Sequence, residues 1–151
     1  MSLPDLEIRK TIDVDAPTDV VFRALTDEKE LVKWLPQEAK MDAKIGGHLQ
    51  FKYRREGRAN ELVFEGEVLE LVQDRKVSYT YHFPKVNPDQ IAGPAPNTMV
   101  TWTLDRLPDG RTRVTVVHTG FFTGLAKYAE EGWERNLSLL AQYCRGTVVS
   151  R

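Results

Sequence analysis

The amino-acid sequence predicts an α+β domain in which a curved antiparallel sheet wraps around one long C-terminal helix. Three observations predict this class. The middle of the chain alternates between apolar and polar residues, which indicates short strands joined by turns. Two short helical segments follow the first strand. A longer segment, from about Thr123 to Cys144, has apolar residues at helical spacing, and at roughly 1.5 Å per residue it is long enough to cross such a sheet.

The first predicted strand runs from Leu6 to Val14. Every second side chain in it is apolar, which is typical of a strand with one buried face. Lys10 interrupts the apolar face. We expect its aliphatic stem to run along the protein while its ammonium stays in water.

Two short helices are predicted next. Pro17 and Asp19 favour a helix start, because proline fits the first turn and a carboxylate is stabilised there by the helix dipole. Asp27 followed by Glu30 resembles a capping box and predicts a second helix. Pro36 ends that helix.

The pattern then predicts about six strands joined by turns. The clearest alternating segments are Leu49–Tyr53, Leu62–Val68, Val77–Phe83, Val100–Leu104 and Arg113–Gly120. The alternation slips between Leu69 and Val72, which predicts a bulge or the end of that strand. Residues 84–97 are rich in proline and glycine and too long for a tight hairpin, which is typical of a functional or mobile loop.

Composition narrows the class of protein. The chain has 151 residues, enough for one domain, with 41% hydrophobic and 28% charged residues, so neither disorder nor a membrane span is expected. A net charge of −1 gives no broad basic surface for nucleic acid or anionic lipid. The single cysteine excludes an internal disulfide, and the N-terminal residues lack the apolar run of a signal peptide. We therefore expect a cytoplasmic location.

Short motifs occur in a fixed order along nearly the whole chain. They are Ala16-Pro17, Val21-Phe22, Ala24–Asp27, Trp34, Ile45–Gly47, Gly66, Val100–Leu104, Arg113–Thr115, His118–Phe121 and Gly132-Trp133. Their order and spacing resemble the START/Bet v 1-like superfamily (SRPBCC), and within it the proteins related to the C-terminal domain of the Hsp90 ATPase activator. The resemblance implies the helix-grip fold of one domain over residues 1–151.

The same superfamily holds lipid carriers, hormone receptors, cyclases, toxin-sequestering proteins and a co-chaperone domain, so fold alone does not fix function. We expect a small apolar or amphipathic ligand in a cavity between the sheet and the C-terminal helix. One alternative is an interaction module that binds an Hsp90-type chaperone. The other is an enzyme of the cyclase or hydrolase type using the same cavity. No cofactor is implied, and a homodimer is left open.

The candidate ligand-binding residues are aromatic or polar side chains of the inward faces. They are Trp34, Phe51, Tyr53, Phe64, Tyr79, Tyr81, Trp102, His118 and Trp133. Such residues can line an apolar pocket in which the tyrosine hydroxyls orient a ligand. The alternative is a closed aromatic core.

His118 is the candidate residue that could serve the largest number of roles. Alternation places it on the same face as Val114 and Val116, near the end of the last strand. There it can hydrogen-bond a ligand, act as an acid–base group, or serve only as a buried histidine paired within the protein. Because we find no carboxylate on this face, burial predicts a neutral imidazole at pH 7.

Other kinds of site are not supported by the sequence. The histidines, His48, His82 and His118, lie far apart and lack the spacing of metal ligands. Cys144 has no neighbouring base and is predicted to be a small core residue. The carboxylates of the strands and of the long helix fall on polar faces, so no glycosidase-type acid–base pair is expected.

Overall fold

The computed structural model describes the backbone of residues 6–35, 38–54, 61–81, 98–121 and 123–149, with side chains over 7–35, 38–52, 63–81, 98–120 and 130–147. In chain order the elements are β1 (Leu6–Val14), α1 (Thr18–Thr26), α2 (Glu28–Leu31), β2 (Glu38–Met41), β3 (His48–Arg54), β4 (Glu61–Val72), β5 (Lys76–Tyr81), β6 (Thr98–Arg106), β7 (Thr112–Phe121) and α3 (Thr123–Val149). The α+β class with a long C-terminal helix is confirmed. The predictions for His82 and for residues 84–97 fall outside the described residues.

The sheet is antiparallel throughout, in the order β1-β7-β6-β5-β4-β3-β2. The first strand pairs with the last, so that Ile8 lies opposite His118 and Ile12 opposite Val114. Each strand that the alternation placed is present. The short edge strand β2 was not placed individually, because its four residues are too few for a pattern to emerge.

Strand β4 changes its partner midway. Its first part pairs with β3 and its last part with β5, and the register shifts between Val68 and Glu70, which confirms the predicted bulge. Gly66 lies just before this shift. A Cβ there would lie 1.7 Å from the carbonyl oxygen of Thr80, so only glycine lets the two backbones approach this closely. Together the glycine and the bulge allow the sheet to curve.

Helix α3 extends to Val149 rather than ending near Cys144. Its fully described buried residues recur at intervals of four, three and four: Trp133, Leu137, Leu140 and Cys144. Gly132, Asn136 and Tyr143, which neighbour these residues on the helix, are only half-buried. The apolar side chains at the four-three-four spacing therefore set the face that packs on the sheet.

The capping-box prediction for α2 is half right. Asp27 is the N-cap, and its Oδ1 accepts a hydrogen bond of 2.9 Å from the backbone N–H of Lys29. Glu30 does not complete the box. Its carboxylate accepts instead from the hydroxyl of Tyr143, which ties α2 to the second half of α3. Burial first, and then this carboxylate, raise the pKa of Tyr143 to about 12.

The strand directions divide the molecule into two ends. Because neighbours are antiparallel, β3, β5 and β7 finish at the same end at which β4 and β6 begin and from which α3 starts. We call this the aromatic end. At the opposite, aliphatic end, α1 lies against α3 and against β6. The buried side chains of the aliphatic end include Val14, Val21, Leu25, Leu104, Leu140 and Cys144.

Candidate functional site

Most of the predicted ligand-binding residues meet in one group at the aromatic end. We call this group the aromatic cluster, and its members are Phe51, Phe64, Tyr79, Tyr81, Trp102, His118 and Trp133. The sheet supplies every member except Trp133, which α3 brings down onto the sheet. Alternation along five neighbouring strands, β3 to β7, therefore accounts for the convergence.

Tyr81 lies at the centre of the aromatic cluster. The ring of Phe64 stacks on it with centroids 4.3 Å apart and planes 5° from parallel. The rings of His118 and Trp133 contact the same tyrosine at 6.0 and 6.4 Å. Phe51 approaches from β3 at 6.3 Å. The His118–Tyr81 pair has the edge-to-face geometry that aromatic rings prefer, and the other rings pack around the same tyrosine.

The two indoles of the cluster meet edge to face. Their centroids are 5.5 Å apart and their planes 79° apart. The N–H of Trp102 donates to the hydroxyl oxygen of Tyr79 at 2.9 Å, so this buried donor is satisfied. Trp102 is 2% exposed, and Trp133 is buried as the helical stripe predicted.

A chain of hydrogen bonds runs through the cluster and fixes the protonation of His118. Trp133 Nε1 lies 2.9 Å from His118 Nδ1, and an indole N–H can only donate. Nδ1 is therefore the acceptor, and the proton of the neutral imidazole is on Nε2. That nitrogen donates to Thr98 Oγ1 at 2.9 Å, and the Thr98 hydroxyl donates in turn to the carbonyl oxygen of Tyr81.

Burial lowers the pKa of His118 to about 4. The geometry adds a second reason for neutrality, because a proton on Nδ1 would face the N–H of Trp133 with no acceptor between them. The inward register of His118 and its neutral state at pH 7 are thus confirmed. Both ring nitrogens are used within the protein, which favours the paired structural histidine over the acid–base group.

Of the two remaining predicted residues, Trp34 is not joined to the cluster and Tyr53 lies outside the described side chains. Trp34 is buried, and its N–H donates to the carbonyl oxygen of Ala24 at 2.9 Å, which places it against α1. None of the ring contacts between described side chains involves it. Tyr53 lies on β3 opposite Leu62, and its side chain is outside those that the structure describes.

Sequence reasoning missed Thr98, the residue that links His118 to β5. A signal for it was present, because Thr98 continues the alternation of Val100, Trp102 and Leu104 by one step toward the aromatic end. Because Thr98 is polar and lies at the end of the apolar pattern, the pattern alone does not distinguish it from the first residue of a loop. Its hydroxyl instead completes the hydrogen-bond chain.

A separate cleft of about 400 Å³ lies at the aliphatic end, between α1 and two turns of the sheet. Its lining is Asp19, Phe22, Arg23, Thr26, Asp27, Ala43, Leu71, Gln73 and Asp74, none of which belongs to the predicted site. Within the described ranges, no three histidine, cysteine or acidic side chains come together to hold a metal ion. The described helices include none that is long and apolar enough to cross a membrane.

Known structures share this arrangement. CV1439 from Chromobacterium violaceum is 27% identical, with a TM-score of 0.77 over 92% of this chain and 96% of that one. Mll3558 from Rhizobium loti is 24% identical, with a TM-score of 0.78 over 95% and 99%. The Aha1 dimer from Colwellia psychrerythraea is 19% identical, with a TM-score of 0.70 over 90% and 93%. The last two likenesses show the fold alone.

The sequence itself carries the assignment to a family. A family model described as Activator of Hsp90 ATPase homolog 1-like protein matches residues 15–145, from the end of β1 nearly to the end of α3. No curated protein of similar sequence was found. The matched range includes the whole aromatic cluster. The chain belongs to the Activator of Hsp90 ATPase homolog 1-like family.

Proposed function

We propose that the protein binds a small apolar or amphipathic molecule between the aromatic cluster and the first half of α3. The observation that supports this is the exposed fraction of the inward-facing side chains, which is larger for three residues at the aromatic end than for their neighbours. Tyr81 and His118 are each 8% exposed and Thr98 is 9% exposed, although all three point into the fold. Val100 and Val116, which lie further toward the aliphatic end on the same face, are 0% exposed. These three side chains therefore keep a small accessible surface that their neighbours toward the aliphatic end lack.

The accessible side chains at the aromatic end indicate which class of ligand the protein would bind. The side chains that carry it are aromatic rings and neutral hydrogen-bonding groups, and His118 is uncharged at neutral pH. A ligand that brought a bare charge against them would lose its hydration without gaining a partner. Half-buried Phe64, stacked on Tyr81, is the cluster member that meets solvent most. We infer a ligand whose apolar body contacts the rings and whose polar part remains toward the solvent.

Binding is favoured over catalysis by the state of His118. A general base has to be able to take up a proton near the working pH, whereas the pKa of this histidine is about 4. Its Nδ1 is already occupied by the N–H of Trp133. An acid–base reaction at this position would first have to break that bond.

The proposal is tested with a neutral apolar probe, N-phenyl-1-naphthylamine, together with native mass spectrometry of the protein as purified. The probe should become fluorescent on binding and raise the melting temperature with its concentration. Phe64→Ala should weaken binding about two- to tenfold, the scale of losing one aromatic contact of 0.5–1.5 kcal/mol. Leu140→Ala is the matched control, because it empties space at the aliphatic end and should leave probe affinity unchanged.

Two results would overturn the proposal. One is the absence of both a co-purified molecule and any probe binding at millimolar protein. The other is equal weakening by Phe64→Ala and Leu140→Ala, which would place the probe elsewhere or show that it reports stability only. Light scattering on the same samples gives the number of copies in the assembly.

The family description favours a second candidate, interaction with an Hsp90-type chaperone. It is tested by measuring the ATPase rate of a purified Hsp90 with and without this protein. The co-chaperone function would replace the ligand proposal if three results were found together. The protein would stimulate the Hsp90 ATPase rate, Phe64→Ala would stimulate it equally, and neither would bind the apolar probe.

A further inference from the structure

Lys10 makes a contact across the rim of the fold that its sequence position did not predict. It lies in the inward register of β1 between Ile8 and Ile12, opposite Val116. Its stem does not simply end in water as expected. The ammonium Nζ lies 2.7 Å from Oε1 of Glu130 and 3.0 Å from Oε1 of Glu134 on α3.

The two carboxylates are held together by this single ammonium. Glu130 and Glu134 are one helical turn apart, a spacing at which like charges on a helix destabilise each other. Lys10 lies between them and offsets that repulsion. The hydrogen bonds that Lys10 donates to Glu130 and then to Glu134 raise the pKa of Lys10 further, so its ammonium is charged at neutral pH. All three side chains keep solvent contact, so salt should weaken the contact.

A glycine lies between the two carboxylates in the helix interior. A Cβ placed on Gly132 would meet no atom within 4 Å, so packing does not require glycine there. Glycine inside a helix costs stability relative to alanine because its unfolded backbone is freer. The helix is therefore intrinsically weak at the turn that Lys10 holds.

Trp133 occupies the same turn on the inner side of the helix. Its N–H bonds to His118, while the next buried residues along α3, Leu137 and Leu140, belong to the apolar core. Among the described side chains, residues 130–134 of α3 are thus held to the sheet by an inner hydrogen bond and an outer ion pair. Further along the helix, apolar packing dominates, with the added hydrogen bond from Tyr143 to Glu30.

We propose that Lys10, Glu130 and Glu134 form a latch that controls opening of the first part of α3, residues 123–134, away from β1, and that this opening admits the ligand to the aromatic cluster. The role in ligand entry rests on the proposed function. In the open state the helix is frayed through Glu134, with Gly132 as its weakest position, so the latch is broken and Trp133 is separated from His118. The aliphatic end stays closed.

Hydrogen exchange of the full chain, followed by mass spectrometry, tests the latch without any ligand. Lys10→Met keeps the stem and removes the charge. Lys40→Met is the matched control, since Lys40 is exposed on the opposite edge strand β2. Amides of residues 123–134 should exchange about three- to tenfold faster in Lys10→Met only, while residues 137–149 are unchanged. Equal exchange in wild type and Lys10→Met, or a uniform change along α3, would overturn the latch.

Two further variants sharpen the test. Gly132→Ala should slow exchange of the same segment about threefold, because it removes the weak point of the helix. The triple reversal Lys10→Glu, Glu130→Lys, Glu134→Lys should restore slow exchange that Lys10→Glu alone abolishes. Raising the salt concentration should speed exchange in the wild type but not in Lys10→Met. A triple reversal that exchanges as fast as Lys10→Glu would count against a direct ion pair.

Stopped-flow binding of N-phenyl-1-naphthylamine separates the latch from its role in entry. If the latch gates entry, the association rate rises in Lys10→Met and falls in Gly132→Ala. An unchanged rate, with exchange altered as expected, overturns gating and leaves the latch as a structural contact. Failure of every variant to bind the probe overturns the proposed function and gating together, while the exchange result still decides the latch.

Discussion

The two halves of α3 are fixed to the sheet by different kinds of contact. In the second half, Leu137, Leu140 and Cys144 are 4% exposed or less and pack among aliphatic side chains. Among the described side chains of the first half, the buried contact is the hydrogen bond from Trp133 to His118, flanked by rings at defined angles. Apolar burial dominates the described contacts of the second half, whereas directed polar and aromatic contacts dominate those of the first.

The two kinds of contact contribute differently: apolar burial mainly stabilises the fold, whereas hydrogen bonds and ring contacts fix the orientation of side chains. Apolar burial is non-directional and roughly proportional to area, so the stability that it contributes at the aliphatic end should not change between pH 4.5 and 7. A hydrogen-bond chain fixes orientation, but every member has to keep its partner. The aromatic end therefore has a defined geometry that protonation or a single lost donor can disturb, which suits a surface that recognises a ligand.

The largest effect is expected from Trp133→Ala. Removing this ring takes away its contacts with Trp102 and Tyr81 and leaves Nδ1 of His118 without its donor. The free energy of unfolding should fall by about 4 kcal/mol, within the usual range for a buried aromatic residue. Urea unfolding followed by circular dichroism measures it. A loss below about 1 kcal/mol would mean that Trp133 is not part of the packed interior.

Leu140→Ala should cost about 3 kcal/mol, because Leu140 is 0% exposed and its removal leaves a cavity. The prediction that distinguishes the two halves is the pH dependence of this loss. It should be the same at pH 7 and at pH 4.5, since no titrating group is created or released. Denaturant midpoints of wild type and variant at both pH values decide this, and a loss that changes with pH would show that the halves are coupled.

Acidification should weaken the aromatic end specifically. The unfolded histidine binds a proton near pH 6.5, whereas folded His118 does so only near pH 4, so stability is complete above pH 7 and is lost as the pH falls through this window. Between pH 7 and 4.5 the expected loss from this group is about 2 kcal/mol. Glutamine offers an acceptor and a donor but does not titrate. In His118→Gln the free energy of unfolding should therefore fall by about 2 kcal/mol less between pH 7 and 4.5 than in the wild type. Identical slopes would contradict the assignment.

The smallest effect concerns the thiol of Cys144. Burial raises its pKa to about 12 and it is 0% exposed, so native protein should not react with iodoacetamide at pH 8. Unfolded protein should react fully. Because Cys144 lies in the second half of α3, it should stay protected in Lys10→Met. Mass spectrometry after timed labelling measures this, and fast labelling of that variant would mean that α3 opens as a whole.

The fold could be predicted because its signals are local. Alternation and turn residues located β1 and β3 to β7, and the helical spacing located α3. What failed were features set by partners distant in sequence. Glu30 accepts a hydrogen bond from Tyr143 instead of completing the capping box, and Lys10 donates to two carboxylates on α3. Neither contact has a sequence pattern, because each depends on how a helix is rotated on the sheet.

The candidate site was predictable for a similar reason. Inward register alone brought Phe51, Tyr79, Tyr81 and Trp102 together, since neighbouring strands stack residues of one face. The partners of His118 could not be predicted, because they come from β6 and α3 and depend on hydrogen-bond geometry. Trp34 was included for its aromatic character, and its bond to Ala24 instead places it against α1.

The pairing of β1 with β7 has a consequence for synthesis. Thr11 and Thr115, which lie opposite each other, are 104 residues apart in the chain. Strand β1 therefore has no β7 partner until the residues between them have been synthesised, and α3 comes later still. Closing so long a loop has an entropic cost and slows folding. Until then the nascent sheet lacks the helix that covers its apolar face, which makes the late nascent chain the stage most exposed to aggregation.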